Sequence, residues 1–236
     1  MKNFIWILGL GLLALIIIVM LVIGLNLGSI VKIGMEQVGP KVTQVSIKVD
    51  AVGISLLTGS ASVKGLVVGN PDGYATPQAI RVGAISVSMD PRSVMSDKIV
   101  IHSVKVESPT ITFEGGLSRN NLNKILDNVR AFSPSGNPPP KIEVDDFLIT
   151  GAKVHVDLSG LVSKDISLPD IHLTDLGKGN NGLTPADLTK AILKVISSDT
   201  VKAVTRSVSS LGSGAVKTVG ERLDKLTSTF SGLLGK

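Results

Sequence analysis

The chain has 236 residues, 43% of them hydrophobic and only 3% aromatic, with no cysteine and a formal charge of +5. The absence of thiols excludes disulfides and cysteine-based metal or redox centres. Scarce aromatics beside abundant Val, Ile, Leu, Ser and Gly suit a thin β structure with aliphatic faces, long enough for one ordinary domain with a real core.

The chain opens on its most informative stretch. Phe4 to Leu27 carries no charge, and Asn26 is its only polar side chain. As a helix at about 1.5 Å per residue it would be roughly 36 Å long, enough to cross a hydrocarbon core of about 30 Å. A cleaved signal peptide would need a shorter apolar region and a small-x-small site, and Gly28-Ser29-Ile30-Val31 offers a poor one. The reading is therefore an uncleaved transmembrane anchor at 4–27, with residues 1–3 cytoplasmic and the bulk translocated. The helix is expected to continue to Gly39 and to stop at Gly39-Pro40.

Strand patterns follow. Val45, Ile47 and Val49 share one face. Two further runs, Gly53–Leu57 and Ala61–Val68, are split by a Thr58-Gly59-Ser60 turn, and Asn70-Pro71-Asp72-Gly73 marks another turn. Ile80 and Val82 hold one phase, then Ile85, Val87 and Met89 hold the other, which predicts a bulge at Gly83-Ala84. Ile99 and Ile101 likewise give way to Val104 and Val106 across His102-Ser103, and Ile111 and Phe113 resume after Pro109.

Leu117 to Phe132 reads as a helix, with Ser118 as N-cap and an apolar stripe of Leu122, Ile125, Leu126 and Val129. Strands resume at Ile142–Val144, Phe147–Ile149, Lys153–Leu158 and Ile166–Leu176, and Asp175–Gly182 reads as a linker. Thr184 caps a helix that opens at Pro185. From Val201 the apolar residues Val201, Val204, Val208, Leu211, Ala215, Val216, Val219, Leu223, Leu226, Phe230 and Leu233 predict an amphipathic helix with a kink near Gly212 and Gly214. Its stripe needs cover from the sheet, a partner helix or a membrane interface.

The basic surplus sits in this tail, where Lys202, Arg206, Lys217, Arg222, Lys225 and Lys236 face only Glu221 and Asp224. Without interleaved aromatics beside a membrane anchor, anionic lipid headgroups are a better partner than nucleic acid, and a solvated helix face remains open.

Chemistry-bearing motifs are missing. The chain has no P-loop, GxSxG or HExxH pattern. His102, His155 and His172 lie on the polar phase of separate strands and read as surface residues, and Asp145-Asp146 and Asp157 show no acid–base spacing. The expectation is a protein that is not an enzyme and needs no cofactor or metal. Its apolar sheet face is either a filled core or a surface open to acyl chains. By strand phase alone, Val45, Ile47, Val49, Ile85, Val87, Val104 and Val106 are the candidate lipid contacts, and Lys202, Arg206, Lys217, Arg222 and Lys225 the candidate membrane-surface cations.

Several of these stretches resemble the AsmA-like group, related to bridge-like lipid transfer proteins of the bacterial envelope. They are Thr58-Gly59, Gly65-Leu-Val-Val-Gly-Asn-Pro-Asp-Gly-Tyr74, Ile85-Ser-Val-Ser-Met-Asp-Pro91, Ile99 to Pro109, Asn120-Asn121-Leu122-Asn123 and Leu168-Pro-Asp-Ile-His-Leu173. The resemblance implies an inner-membrane protein with a periplasmic β-rich domain at 28–182 and a helical region at 183–236. The expected fold is α+β: a curved antiparallel sheet with a groove-like face, one mid-chain helix and C-terminal amphipathic helices. It also implies phospholipid as partner, a role in envelope and outer-membrane homeostasis, and no catalytic residues. Long relatives of this kind form extended grooves; a chain this short would need self-association or protein partners to bridge two membranes.

Overall fold

Apolar residues in these strands change phase because the sheet they build is creased. The computed structural model describes residues 26–133, 138–157, 163–179 and 181–210. The fold is α+β. A helix over residues 26–43 (α1) precedes strands β1 (Ile47–Lys48), β2 (Ala51–Ser55), β3 (Ser60–Gly69), β4 (Gln78–Met89), β5 (Lys98–Glu107) and β6 (Thr110–Glu114). After them come helix α2 (Asn121–Ala131), strands β7 (Lys141–Thr150), β8 (Lys153–Asp157), β9 (Ser163–Ser167) and β10 (Ile171–Leu176), and helix α3 (Pro185–Ser210).

All ten strands belong to one sheet. Most consecutive short strands are halves of one interrupted lane, because both halves keep the same register on the same neighbour. The lanes run β1/β2, β3, β4, β5/β6, β7/β8 and β9/β10. The expectation of an antiparallel sheet is corrected in one place: β5 with β7 and β6 with β8 are parallel. A parallel neighbour requires a long crossover, and the chain from β6 through α2 to β7 supplies it.

The interruptions align. The pairs Lys64↔Ala84 and Leu66↔Val82 put Gly65 opposite Gly83. The flanking registers continue that row through Asp50 on one side and through Ser108, Gly151 and Pro169 on the other. Gly65 (φ 62°), Ser108 (φ 48°) and Gly151 (φ 63°) are left-handed. At each lane the extra turn of backbone swaps which side of the strand faces inward. Ile80 and Val82 thus give way to Ile85 and Val87, and Phe147 and Ile149 to Ala152 and Val154, all on one apolar face. The bulge expected at Gly83-Ala84 is no register slip between β3 and β4, since both lanes turn together.

A second row lies six residues along, at Gly59, Met89, His102, Asp145 and Asp175. Here Gly59 (φ 62°) and Asp175 (φ 55°) are left-handed. The register shifts between Ser88 and Met89 opposite Ser103 and Ile101, at the expected slip.

Helix α1 runs past Gly39-Pro40 to residue 43, against the expected stop. The Gln44 N–H closes the last turn on the Pro40 carbonyl at 2.9 Å. One side of α1 lies on the β1/β2 lane so closely that a Cβ on Gly28 would come 2.1 Å from the Val52 carbonyl oxygen. Lys32 Nζ donates to the Asp50 carbonyl at 3.0 Å, and Glu36 Oε1 accepts from the Val49 N–H at 2.9 Å. The helix thereby covers an edge that would otherwise expose unpaired backbone groups.

Helix α2 is capped by Asn120, whose Oδ1 accepts from the Asn123 N–H at 2.9 Å. Ser118, the expected cap, lies outside the helix. The predicted stripe of Leu122, Ile125, Leu126 and Val129 is buried. Thr184 caps α3 as expected, accepting from the Asp187 N–H at 3.1 Å.

A buried carboxylate ties the 70–77 loop to α2. Glu114 accepts from the N–H groups of Ala75 and Thr76, from the Thr76 hydroxyl and from the Asn70 amide. Asn121 links Asn70 to the β6 backbone. Burial alone would raise the Glu114 pKa; the hydrogen bonds from Thr76, Ala75 and Asn70 outweigh it and hold the carboxyl below its ordinary range.

Gly65→Ala places a Cβ on left-handed backbone, which costs about 1–2 kcal/mol, and 1.9 Å from the Asp50 carboxylate, so its total cost should exceed that range. Gly83→Ala, with nothing within 4 Å of its Cβ, should stay within about 0.5 kcal/mol; denaturant midpoints of the two variants check the contrast. Glu114→Gln should cost about 1.5–3 kcal/mol at neutral pH, the worth of charge-assisted bonds. Because the folded pKa is lowered, this contribution is complete above the unfolded value near 4.3 and is lost as pH falls through the folded value. Unfolding curves taken at descending pH should therefore converge for wild type and variant.

Candidate functional site

The inner side of the first crease carries the apolar face, and α3 lies across it. Thr189, Ile192, Leu193 and Ile196 recur at i, i+3, i+4 and i+7, so one stripe of α3 meets the sheet. Between them remains a partly open cleft of about 200 Å³. Leu66 and Val68 line it from β3, Ile80, Val82 and Ile85 from β4, and Val106, Pro109 and Ile111 from β5/β6. Phe147, Ile149, Ala152 and Ile171 complete it. The lining spans five lanes, roughly 19 Å at about 4.8 Å per lane.

Thr189 is the one lining residue with a polar side chain, and its hydroxyl is spent on the Pro185 carbonyl at 2.8 Å. Such a cleft offers no proton, charge or nucleophile to a ligand. It suits an aliphatic chain, whose dispersion contacts and desolvation need no polar partner.

The cleft unites only some of the predicted contacts. Ile85 and Val106 line it. Val104 is buried in the same core and Val87 packs against it. Val45, Ile47 and Val49 lie elsewhere: Val45 is buried in the core, Val49 is buried where its N–H meets Glu36, and Ile47 sits against Gly39 of α1. Phase alone marked them as inward, and the lane that carries Ile47 and Val49 is turned toward α1. The α3 stripe and the β7–β10 residues are lining that strand phase does not mark, although the spacing of Leu188, Ile192, Leu193 and Ile196 is legibly helical.

A second, shallower depression of about 410 Å³ lies farther along α3, between Ala203, Arg206 and Ser207 and the β9–β10 bend at Leu168-Pro169. It contains Arg206, one of the predicted surface cations. Lys202 is exposed and donates to Asp199 at 2.9 Å. Lys217, Arg222 and Lys225 lie outside the described residues, as do most of the 4–27 span and the tail stripe beyond Ser210. Of that stripe, Val204 is fully buried in the core and Val201 packs against it. Among the described residues no helix is long and apolar enough to cross a membrane.

Each histidine stands against an aspartate on the neighbouring lane. His102 Nδ1 meets Asp145 Oδ2 at 3.2 Å, His155 Nδ1 meets Asp165 Oδ1 at 2.7 Å, and His172 Nε2 meets Asp146 Oδ1. These pairs are well exposed; the first and third use the consecutive β7 residues Asp145 and Asp146, the second lies on β8 and β9, and among the described residues no group of three or more such side chains could hold a metal ion.

No protein-family model, no curated protein and no solved structure matches the chain.

Ile196, buried under the cleft, tests how firmly α3 is seated. Ile196→Ala should lower stability by about 2–5 kcal/mol, as for truncating a buried aliphatic. A change below 1 kcal/mol in denaturant unfolding of the full chain would mean that α3 is only loosely laid on the sheet.

Proposed function

We propose that this chain is a membrane-anchored, non-enzymatic lipid-binding module of the AsmA-like kind, which holds an acyl chain of a phospholipid in the crease cleft beneath α3. The observation that carries the reading is the lining: five lanes and one helix contribute aliphatic groups and no free polar one. The uncharged run at 4–27 supports an anchor in the inner membrane with the sheet on the periplasmic side. There the module supports envelope and outer-membrane homeostasis. Lipid reaches the cleft from the membrane in which the chain is rooted. A cleft of about 200 Å³ shelters one chain, not a procession of whole lipids, so transfer across an envelope would need further copies or partners.

A scaffold that docks proteins without binding lipid is the second reading. It is favoured by the depth to which α3 is built into the core, with Val204 and Thr200 fully buried. Native mass spectrometry of the full chain extracted in mild detergent separates the two. Lipid binding predicts co-purifying phospholipid adducts, and Leu193→Trp, which fills the cleft, should reduce them at least tenfold while leaving the unfolding midpoint nearly unchanged. A wild-type chain that carries no adduct, even after incubation with phospholipid, leaves the scaffold.

A further inference from the structure

Helix α1 is inside out for a helix in water. Two of its three charged residues, Lys32 and Glu36, turn toward the sheet edge, where both are spent on β1/β2 backbone groups, and only Lys41 in the last turn is exposed. Its aliphatic residues turn away: Ile30 is 60% exposed, Ile33 51%, Val38 52% and Val31 40%. At 100° per residue, Gly28, Lys32, Glu36 and Gly39 share the sheet side, and Ile30, Val31, Ile33 and Val38 spread over the opposite one, where the exposed Gln37 and Lys41 interrupt the apolar patch toward the C-terminal turn. Other exposed large hydrophobics, Leu57, Met95 and Leu117, stand singly in separate loops. Scattered residues of that sort need no explanation, but a contiguous apolar patch does.

The chain immediately before α1 indicates what covers the patch. No charged residue occurs between Lys2 and Lys32, so the uncharged stretch ends inside α1, on the turn that carries Ile30 and Val31. A membrane span needs about 20 residues, and the stretch from Asn3 to Val31 exceeds that. Lys32, the charge that ends it, is drawn away from the apolar side by its bond to Asp50. Two side-chain bonds and two close glycine contacts also bind α1 to the sheet without a flexible joint.

We infer that the outward face of α1, formed by Ile30, Val31, Ile33 and Val38, is seated in the hydrocarbon of a lipid membrane, so that the sheet meets the bilayer edge-on along its β1/β2 lane. The inference rests on the reading of residues 4–27 as an anchor, and extends it from a tether to a rigid mount. The bilayer supplies the apolar surroundings that the patch lacks, and fixes the angle at which the crease stands to the membrane.

The chain has no cysteine, so single thiols can be placed cleanly. Ile30→Cys, Ile33→Cys and Val38→Cys, each in the full chain, are labelled with a polarity-sensitive fluorophore and reconstituted in phosphatidylethanolamine–phosphatidylglycerol vesicles. Lys153→Cys and Lys164→Cys, both exposed and on the two lanes farthest from α1 in the strand order, serve as references. Quenching by spin-labelled lipid should be at least threefold stronger at 30, 33 and 38 than at the references, and quenching by aqueous iodide correspondingly weaker. Iodide quenching equal to the references overturns the inference. So does shielding from both quenchers, which would mean cover by protein, either residues 211–236 or a second copy. Carbonate extraction distinguishes the two levels: release of the chain removes the anchor reading and this inference together, whereas a retained chain with water-exposed probes removes this inference alone.

Discussion

A β-strand shows its two faces to alternate residues, and a sheet with one buried face must keep that alternation in step along its whole length. This molecule breaks step twice, and does so in every lane it can at the same place. The row from Asp50 through Gly65, Gly83, Ser108 and Gly151 to Pro169 lets six lanes turn together. Because neighbours turn in concert, the hydrogen-bond ladder survives: Ser108 still donates to Thr150 and Leu168 to Ala152. The bend is what gives the apolar face a hollow for α3 to cross. Without it a flat face would be sealed by the helix and no cleft would remain.

Much of this bend was written in the strand phases. The shift from Val82 to Ile85 and the shift from Ile101 to Val104 were both visible along the chain, as were the α2 stripe and the Thr184-Pro185 opening. What single strands could not disclose was alignment. Nothing local to Gly83 indicates that Ser108 and Gly151 will lie beside it. That follows only from register, and the parallel join of β5 to β7 depends on a crossover whose handedness and landing lane are tertiary matters. Local chemistry also left near-ties. Ser118 and Asn120 are both able caps, and Asn120 prevails because Asn121 next to it is locked to Thr112 and Asn70. Pro40 failed to stop α1 because helix bonding resumes on its carbonyl one turn later. As for the site, phase found the inward residues, of which the cleft uses Ile85 and Val106. The turning of the first lane toward α1 removed Ile47 and Val49, while Val45, just before that lane, is buried in the core away from the cleft.

The buried polar groups Glu114, Asn121 and Asn128 are spent on holding shape. Glu114 is fully engaged by Asn70, Ala75 and Thr76, and Asn128 reaches across from α2 to the Thr43 carbonyl at the end of α1. These bonds fix where the helices and the 70–77 loop sit around the sheet. The cleft itself is left to dispersion and desolvation alone, which discriminate by length and girth and not by functional group.

On the far side of the sheet, β9/β10 is a border with no further lane among the described residues. An unprotected border of this kind is a template for stray strands and aggregation. Here Pro169 removes one donor at the very point where the lane bends, and the lane's two halves point their open groups in different directions. A straight intruding segment could zip onto one half but would have to break its own alternation at the matching step to continue onto the other. The same fold line that hollows the face therefore works as a lock on the border, admitting only a strand cut to its pattern.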